Sequence, residues 1–160
     1  MNIKVLKANY TETKHATDIL SLLNLYALDP MGGGKALSQF VKDNLIRELA
    51  KLPHAFTVLC YADDRAVGLI NCFESFSTFS CKPLVNIHDV IVIKEYRGRG
   101  LSQKMLTEVE KIALKKGCCK LTLEVLSKNT VAQASYQKSG FSPYQLDPEM
   151  GMAEFWQKLI

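Results

Sequence analysis

Two arginines and two glycines stand between an apolar run and a helical pattern in residues 95–105, EYRGRGLSQKM. A loop that leaves a strand and enters a helix points backbone N–H groups at one spot, and the helix dipole favours an anion there. Gly98 and Gly100 allow a ligand to approach the backbone closely, and Arg97 and Arg99 add positive charge. This pattern predicts a phosphate-binding loop. For an isolated RGRG, a glycine-rich turn with surface arginines is the alternative.

Two common phosphate-binding motifs do not match the chain. A P-loop needs GxxxxGK[ST], and neither this loop nor residues 32–35 supplies it. A dinucleotide-binding fingerprint needs a third Gly or Ala at position 103, which is Gln. The order of strand, loop and helix nevertheless favours phosphate binding over a plain turn.

The elements around the loop can be read from hydrophobic periodicity. The run LVNIHDVIVI at residues 84–93 predicts a strand before the loop, and an apolar stripe predicts a helix at about residues 102–116 after it. KLTLEVL at residues 120–126 predicts a further strand. Asn129 or Thr130 is then expected to cap a short helix that reaches about residue 138 and ends before Gly140.

The rest of the chain completes an α/β (α+β) pattern. A strand is predicted at residues 3–8, helices at about 15–27 and 36–51, a hairpin at 56–61 and 66–76, and short strands near 141–146 and 152–159. We therefore expect one domain over residues 1–160. Its mixed, mostly antiparallel, twisted sheet should have about seven strands and about four flanking helices.

Composition narrows the functional classes. The chain has 160 residues, 48% of them hydrophobic, and a formal net charge of +4. No apolar run approaches the roughly 18 residues of a membrane helix, and the alternating N-terminus is unlike a signal peptide, so we expect a cytoplasmic protein without membrane contact. Five cysteines without CxxC spacing predict neither a disulfide framework nor a metal site. No basic strand or recognition helix favours a nucleic-acid partner.

Two segments together resemble the GNAT-type N-acetyltransferase family. VIVIKEYRGRGLSQKML is similar to its acyl-CoA-binding pattern Q/R-x-x-G-x-G/A, with Arg97, Gly100 and Ser102 in register. LEVLSKNTVAQASYQKSGF resembles the strand-Asn-helix-Tyr-x-x-x-G-F segment. The resemblance covers about residues 56–146, and FESFSTFSCKPLVNIHDVIV resembles the polyamine and small-amine branch. It departs from that branch at His88, where such members often carry glutamate.

The resemblance implies an enzyme that moves an acetyl group from acetyl-CoA directly to a primary amine of a small molecule or peptide. A non-catalytic acyl-CoA-binding module is the alternative, and homodimerisation is implied by family analogy. Backbone groups of Val90, Ile91 and Val92 and the side chain of Asn129 would contact the pantetheine arm. The implied pyrophosphate cradle consists of Arg97, Gly98, Arg99, Gly100, Leu101, Ser102 and Gln103.

Proton transfer limits the choice of catalytic residues. A lysine-like amine, with a pKa of about 10.4, must lose a proton before it attacks the thioester. His88, Glu124 or an ordered water could accept that proton, and Tyr136 is expected to donate one to the leaving thiolate. Strand alternation predicts that His88 shares a face with Val90 and Val92, and that Asp89 points the other way unless a bulge intervenes.

The acceptor groove of related enzymes corresponds here to residues 29–34 and 147–151. Asp29 lies in the first of these segments, and Glu74, Asp89 and Glu124 would add attraction for a cationic acceptor. Asp29, Glu74 and Asp89 are the expected substrate-binding residues.

Overall fold

The computed structural model describes residues 1–160, which form five strands and four α-helices. The strands are β1 (Ile3–Lys7), β2 (Ala55–Ala62), β3 (Arg65–Ser77), β4 (Lys82–Val92) and β5 (Leu121–Leu123). The helices are α1 (Thr13–Leu28), α2 (Gln39–Ala50), α3 (Leu101–Lys115) and α4 (Thr130–Lys138), with 3₁₀ turns at Pro30–Gly32, Lys94–Tyr96 and Pro148–Met150. None of the helices has the length and apolar character needed to cross a bilayer.

The chain forms two compact units, Met1–Leu123 and Glu124–Ile160. The first unit contains the whole sheet together with α1, α2 and α3, and the second contains α4. The expectation of a single domain over residues 1–160 stays a prediction.

The sheet follows chain order, β1-β2-β3-β4-β5. The first three pairings are antiparallel and the β4–β5 pairing is parallel. Short turns join β2 to β3 and β3 to β4, whereas α1 and α2 lie between β1 and β2. Helix α3 carries the chain back across the sheet, so β5 runs parallel to β4. The predicted fold class, an α/β chain with a mixed, mostly antiparallel sheet and four helices, is confirmed.

Two helices cover opposite faces of this sheet. On β3, alternation places Gly68 and Cys72 on one face and Leu69 and Asn71 on the other. A Cβ at Gly68 would lie 2.9 Å from Cε of Met105, so α3 packs closely against the first face. We call it the α3 face, and the opposite one the α1 face.

Helix α1 covers the second face through contacts with β2 and β3. Its buried residues include Ile19, Leu22 and Leu23, and Asp18 accepts a hydrogen bond of 2.7 Å from Tyr61 Oη on β2. Burial of these apolar side chains against the strands is what fixes α1 on this face.

The number of strands is five rather than the expected seven. Residues 141–146 and 152–159 make a single antiparallel bridge, Gln145 with Met152, instead of two strands. Pro143 and Pro148 lack the backbone N–H groups that strand pairing needs, and residues 142–160 are exposed. The alternating sequence pattern is therefore present without strand pairing. β5 is also shorter than the predicted strand at residues 120–126.

Candidate active site

The glycine–arginine loop has the backbone geometry that its sequence predicts. Gly98 and Gly100 adopt φ values of +76° and +72°, a region in which side chains with a Cβ are strained. Gly100 is also the N-cap of α3, so no capping side chain covers the start of the helix. The amides of the first helical turn point out of the helix at this end, which is the arrangement that suits an anion.

Arg97 connects this loop to the segment that follows α1. Its Nε donates to the Val92 carbonyl at 2.9 Å, and its Nη2 donates to Asp29 Oδ2 at 3.1 Å. Asp29 also accepts a hydrogen bond of 3.0 Å from the backbone N–H of Met31. The Met31 N–H first, and then the Arg97 guanidinium, lower the pKa of Asp29.

Arg99 lies over the ring of Tyr96. Its guanidinium carbon is 5.1 Å from the ring centroid, and that of Arg65 is 5.7 Å from the same centroid. Both distances allow cation–π attraction. The guanidinium groups of Arg97 and Arg99 are therefore held beside the loop by other groups of the first unit.

A β-bulge interrupts β4 at His88. Asn71 pairs with Asp89 and the next residue, Cys72, pairs with Ile87, so His88 is an extra residue in β4. The parallel pairing with β5 ends at the same place, because only Val85, Asn86 and Ile87 pair with it.

Residues 90–92 thus have β3 as their only strand neighbour. Ile93 N–H donates to the Val67 carbonyl of β3, so by alternation the backbone groups of Val90 and Val92 point away from β3. The Val92 carbonyl accepts from Arg97. Such an open backbone edge is the kind of surface that accepts an extended ligand.

The bulge changes the expected faces of the two polar residues on β4. His88 is exposed and makes an edge contact with Phe73, with ring centroids 5.5 Å apart, so it lies on the α1 face. Val90 and Val92 pair with Ile70 and Gly68 and lie on the α3 face. The expectation that His88 shares their face was wrong.

Asp89 lies on the α1 face as well. Its Oδ2 accepts a hydrogen bond of 2.9 Å from Asn71 Nδ2. Burial first, and then the charges of Asp89 and Asp29, raise the pKa of Tyr26 on α1. Asp89 and Asp29 therefore both lie near Tyr26, and His88 lies on the same face of the sheet as Asp89.

Glu74 is placed apart from this group. It lies on the α3 face, where Oε2 is 2.8 Å from Nζ of Lys116. This ion pair neutralises a carboxylate that the sequence suggested for substrate attraction.

Glu124, Asn129 and Tyr136 belong to the second unit. Glu124 is exposed and directly follows β5. Asn129 caps α4 by accepting a hydrogen bond of 3.2 Å from Ala132 N–H, and Gly140 has a φ of +86° just after the helix, as the sequence predicts. Tyr136 lies on α4 with its ring centroid 6.1 Å from that of Phe141.

Sequence reasoning missed the polar residues behind Asp89. Asn71 and Thr57 are buried in strands, and Tyr10 bonds to Thr57. The signal was present, because a polar side chain inside the apolar run GLINCF is unusual unless it has a partner. No group of three or more His, Cys, Asp or Glu side chains is arranged to hold a metal ion.

The mixed sheet with α1 and α3 on opposite faces, together with the glycine loop between β4 and α3, defines an α/β protein. A family model described as the acetyltransferase (GNAT) family matches residues 19–141. The chain therefore belongs to the GNAT family of acetyltransferases.

Two curated relatives show how far the similarity extends. The thialysine N-epsilon-acetyltransferase of Bos taurus is 38% identical over 74 residues, which cover 46% of this chain and 43% of that protein. The aminoglycoside N(6')-acetyltransferase type 1 of Salmonella typhimurium is 23% identical over 97 residues, which cover 59% of this chain and 67% of that protein. The matched segment thus spans less than half the length of the bovine relative.

Solved structures share the fold over nearly the whole chain. An aminoglycoside acetyltransferase, meta-AAC0020, from an uncultured soil metagenomic sample has a TM-score of 0.80 at 15% identity, covering 99% of this chain and 97% of that one. AAC(6')-Iy, in complex with a CoA bisubstrate analogue, has a TM-score of 0.77 at 18% identity and covers 100% of both chains. At these identities the likeness establishes the fold.

Proposed function

We propose that this protein is an N-acetyltransferase that moves an acetyl group from acetyl-CoA directly to a primary amine of a small molecule or peptide. The observation that carries the proposal is the construction of β4. β4 has an open backbone edge at residues 90–92 and a bulge that turns His88 and Asp89 toward the α1 face, and it is followed by a glycine loop at the N-terminus of α3.

The loop and the open edge would hold the two ends of the coenzyme. The backbone N–H groups of Gly98, Gly100 and the first-turn residues Leu101, Ser102 and Gln103 would donate hydrogen bonds to the pyrophosphate, and Arg97 and Arg99 would add positive charge. Backbone groups of Val90 and Val92, which point away from β3, would hydrogen-bond with the pantetheine arm, whereas those of Ile91, which the sequence also suggested, are turned toward β3. Asn129 is the proposed pantetheine contact from the second unit; its Oδ1 caps α4, so Nδ2 is the group that would donate.

The α1 face would receive the acceptor amine. A carboxylate attracts a protonated amine, so Asp89 is the proposed ammonium-binding group. Asp29 lies near Tyr26 as Asp89 does, but its ion pair with Arg97 reduces the negative charge that it adds. The amine must then lose a proton, and we assign that step to His88, Glu124 or an ordered water. Because Glu74 is paired with Lys116, its contribution to acceptor binding would be small.

Direct transfer proceeds through one covalent exchange. The neutral amine nitrogen attacks the thioester carbonyl, the C–N bond forms, the C–S bond breaks, and the CoA thiolate leaves and takes up a proton. We assign donation of that proton to Tyr136. The two buried strand cysteines are unsuited to a route through a protein thioester. Burial raises the pKa of Cys60, and burial together with the charge of Asp89 raises the pKa of Cys72. Both side chains therefore stay weakly nucleophilic thiols.

The relatives support small amines as the acceptor class. Their names refer to thialysine and to aminoglycosides, both of which are amines carrying positive charge at neutral pH. Acidic groups on the α1 face would suit such acceptors. A homodimer and a cytoplasmic location remain expectations from the family and from composition.

Thiol release from acetyl-CoA in the presence of an amine library tests this proposal. The library should contain aminoglycosides, lysine analogues, polyamines and peptides with free N-termini, and product masses should increase by one acetyl group. Calorimetry with CoA, run in parallel, separates the two functional hypotheses. Heat of binding without turnover on any amine would favour the non-catalytic acyl-CoA-binding module, and absence of binding would refute both.

A further inference from the structure

A chain of side-chain hydrogen bonds crosses three strands and ends at Asp89. Tyr10 Oη lies 2.9 Å from Thr57 Oγ1 on β2, and Thr57 Oγ1 donates to Asn71 Oδ1 on β3 at 2.7 Å. Asn71 Nδ2 then donates to Asp89 Oδ2 on β4 at 2.9 Å. All four residues belong to the first unit.

The chemistry of the groups determines which atom donates and which accepts in each of these hydrogen bonds. Asn71 Oδ1 can only accept, so the single hydroxyl hydrogen of Thr57 is used there. Tyr10 must therefore donate to Thr57, and burial raises the pKa of the Tyr10 phenol, which keeps its proton in place. Turning the Asn71 amide over would set its oxygen against the Asp89 carboxylate, so every hydrogen bond points toward Asp89.

Burial restricts the two middle residues of the hydrogen-bond chain. Thr57 is 0% exposed and Asn71 is 5% exposed, so neither has water as a substitute partner. Removing one member leaves a buried polar atom without its hydrogen bond, and the neighbouring side chain then turns to find another. Asp89, at the end of the chain, is only partly buried and adjoins the bulge.

We infer that Tyr10, Thr57 and Asn71 are positioning residues that orient the Asp89 carboxylate toward the ammonium group of the acceptor. The inference rests on the proposed function. It assigns a role to residues that touch neither coenzyme nor acceptor, at the point where the bulge leaves β4 least constrained.

Thr57 offers a matched pair of variants. Thr57→Val keeps the shape of the side chain but removes the hydroxyl, whereas Thr57→Ser keeps the hydroxyl and removes a buried methyl group. If the chain positions Asp89, Thr57→Val raises the KM for the amine by about tenfold with the affinity for CoA unchanged, and Thr57→Ser stays within about twofold of the wild type.

A purely structural role gives a different result. Thr57→Val and Thr57→Ser would then have the same acceptor KM under conditions in which urea unfolding shows that both variants are folded. That outcome overturns the inference and leaves the acetyltransferase proposal intact. Wild-type protein that binds CoA and acetylates no amine would instead refute the proposed function, and the inference with it.

Tyr10→Phe keeps the test decisive if Thr57→Val does not fold. It removes only the first donor and retains the ring, and the expected rise in acceptor KM is about twofold to fivefold. If Thr57→Val does not fold, an unchanged acceptor KM in folded Tyr10→Phe would overturn the proposed role of the hydrogen-bond chain.

Discussion

The ion pair between Arg97 and Asp29 should weaken coenzyme binding in the wild-type protein. The guanidinium proposed to attract the pyrophosphate is already shared with the Asp29 carboxylate at 3.1 Å. The two side chains are 55% and 26% exposed, so solvent screens the pair, and such pairs are worth about 0.2–1 kcal/mol. Asp29→Asn removes this competition and should tighten CoA binding by about 1.4-fold to fivefold.

Asparagine is the informative replacement at this position. It can accept the Met31 N–H as Asp29 does, because Asn and Asp are comparable N-caps, so the 3₁₀ turn at Pro30–Gly32 should persist. Asp43→Asn on α2 is the matched control, since it removes the same charge from an exposed site that bonds only to Gln39.

Calorimetric titration of CoA at low salt and at high salt measures the effect. The gain for Asp29→Asn should be present at low salt and shrink at high salt, because salt screens exposed charges, and Asp43→Asn should bind CoA like the wild type. Weaker binding in Asp29→Asn would refute the reasoning, since it would mean that Asp29 holds Arg97 ready for the phosphate. Equal gains in both variants would point to net charge instead.

Three further predictions follow from individual residues. Tyr136→Phe should lower turnover by about 10²-fold with an unchanged Kd for CoA, and normal turnover would remove Tyr136 from the mechanism. Gly68→Ala should lower the free energy of unfolding in urea by about 1–3 kcal/mol, because the new Cβ would lie 2.9 Å from the Ile91 carbonyl oxygen. The pKa of Asp29 is lower in the folded protein, so its charge stabilises the fold above the unfolded pKa of about 3.9, and this stabilisation is lost as the pH falls further. The difference in unfolding free energy between the wild type and Asp29→Asn should therefore shrink from pH 6 to pH 3. A constant difference would contradict this assignment.

Local signals in the sequence predicted the loop well. The φ values of Gly98 and Gly100 and the start of α3 depend on a few consecutive residues, and their types are visible in the chain. The cap at Asn129 and the end of α4 at Gly140 were predictable for the same reason. Such features need no knowledge of the rest of the fold.

Pairing between distant strands was harder to predict. The bulge at His88 arises from the register between β3 and β4, and nothing in the letters NIHDV marks an extra residue. The Arg97–Asp29 pair joins residues 68 positions apart and has no sequence pattern. Alternation at residues 141–146 suggested a strand, but a strand also needs a neighbour, and composition does not reveal whether one exists.

The open side of β4 beyond the bulge also bears on self-association of the protein. From Val90 onward, β4 changes from an interior strand to one with an open side, and open strand edges can add strands from other molecules and so lead to aggregation. On this side, the Arg97 side chain donates a hydrogen bond to the Val92 carbonyl and adds a positive charge. The Val92 carbonyl is therefore not available to pair with a strand of another molecule. Any ligand bound along residues 90–92 would block the other positions on this edge, so occupancy of this edge and resistance to self-association should rise together.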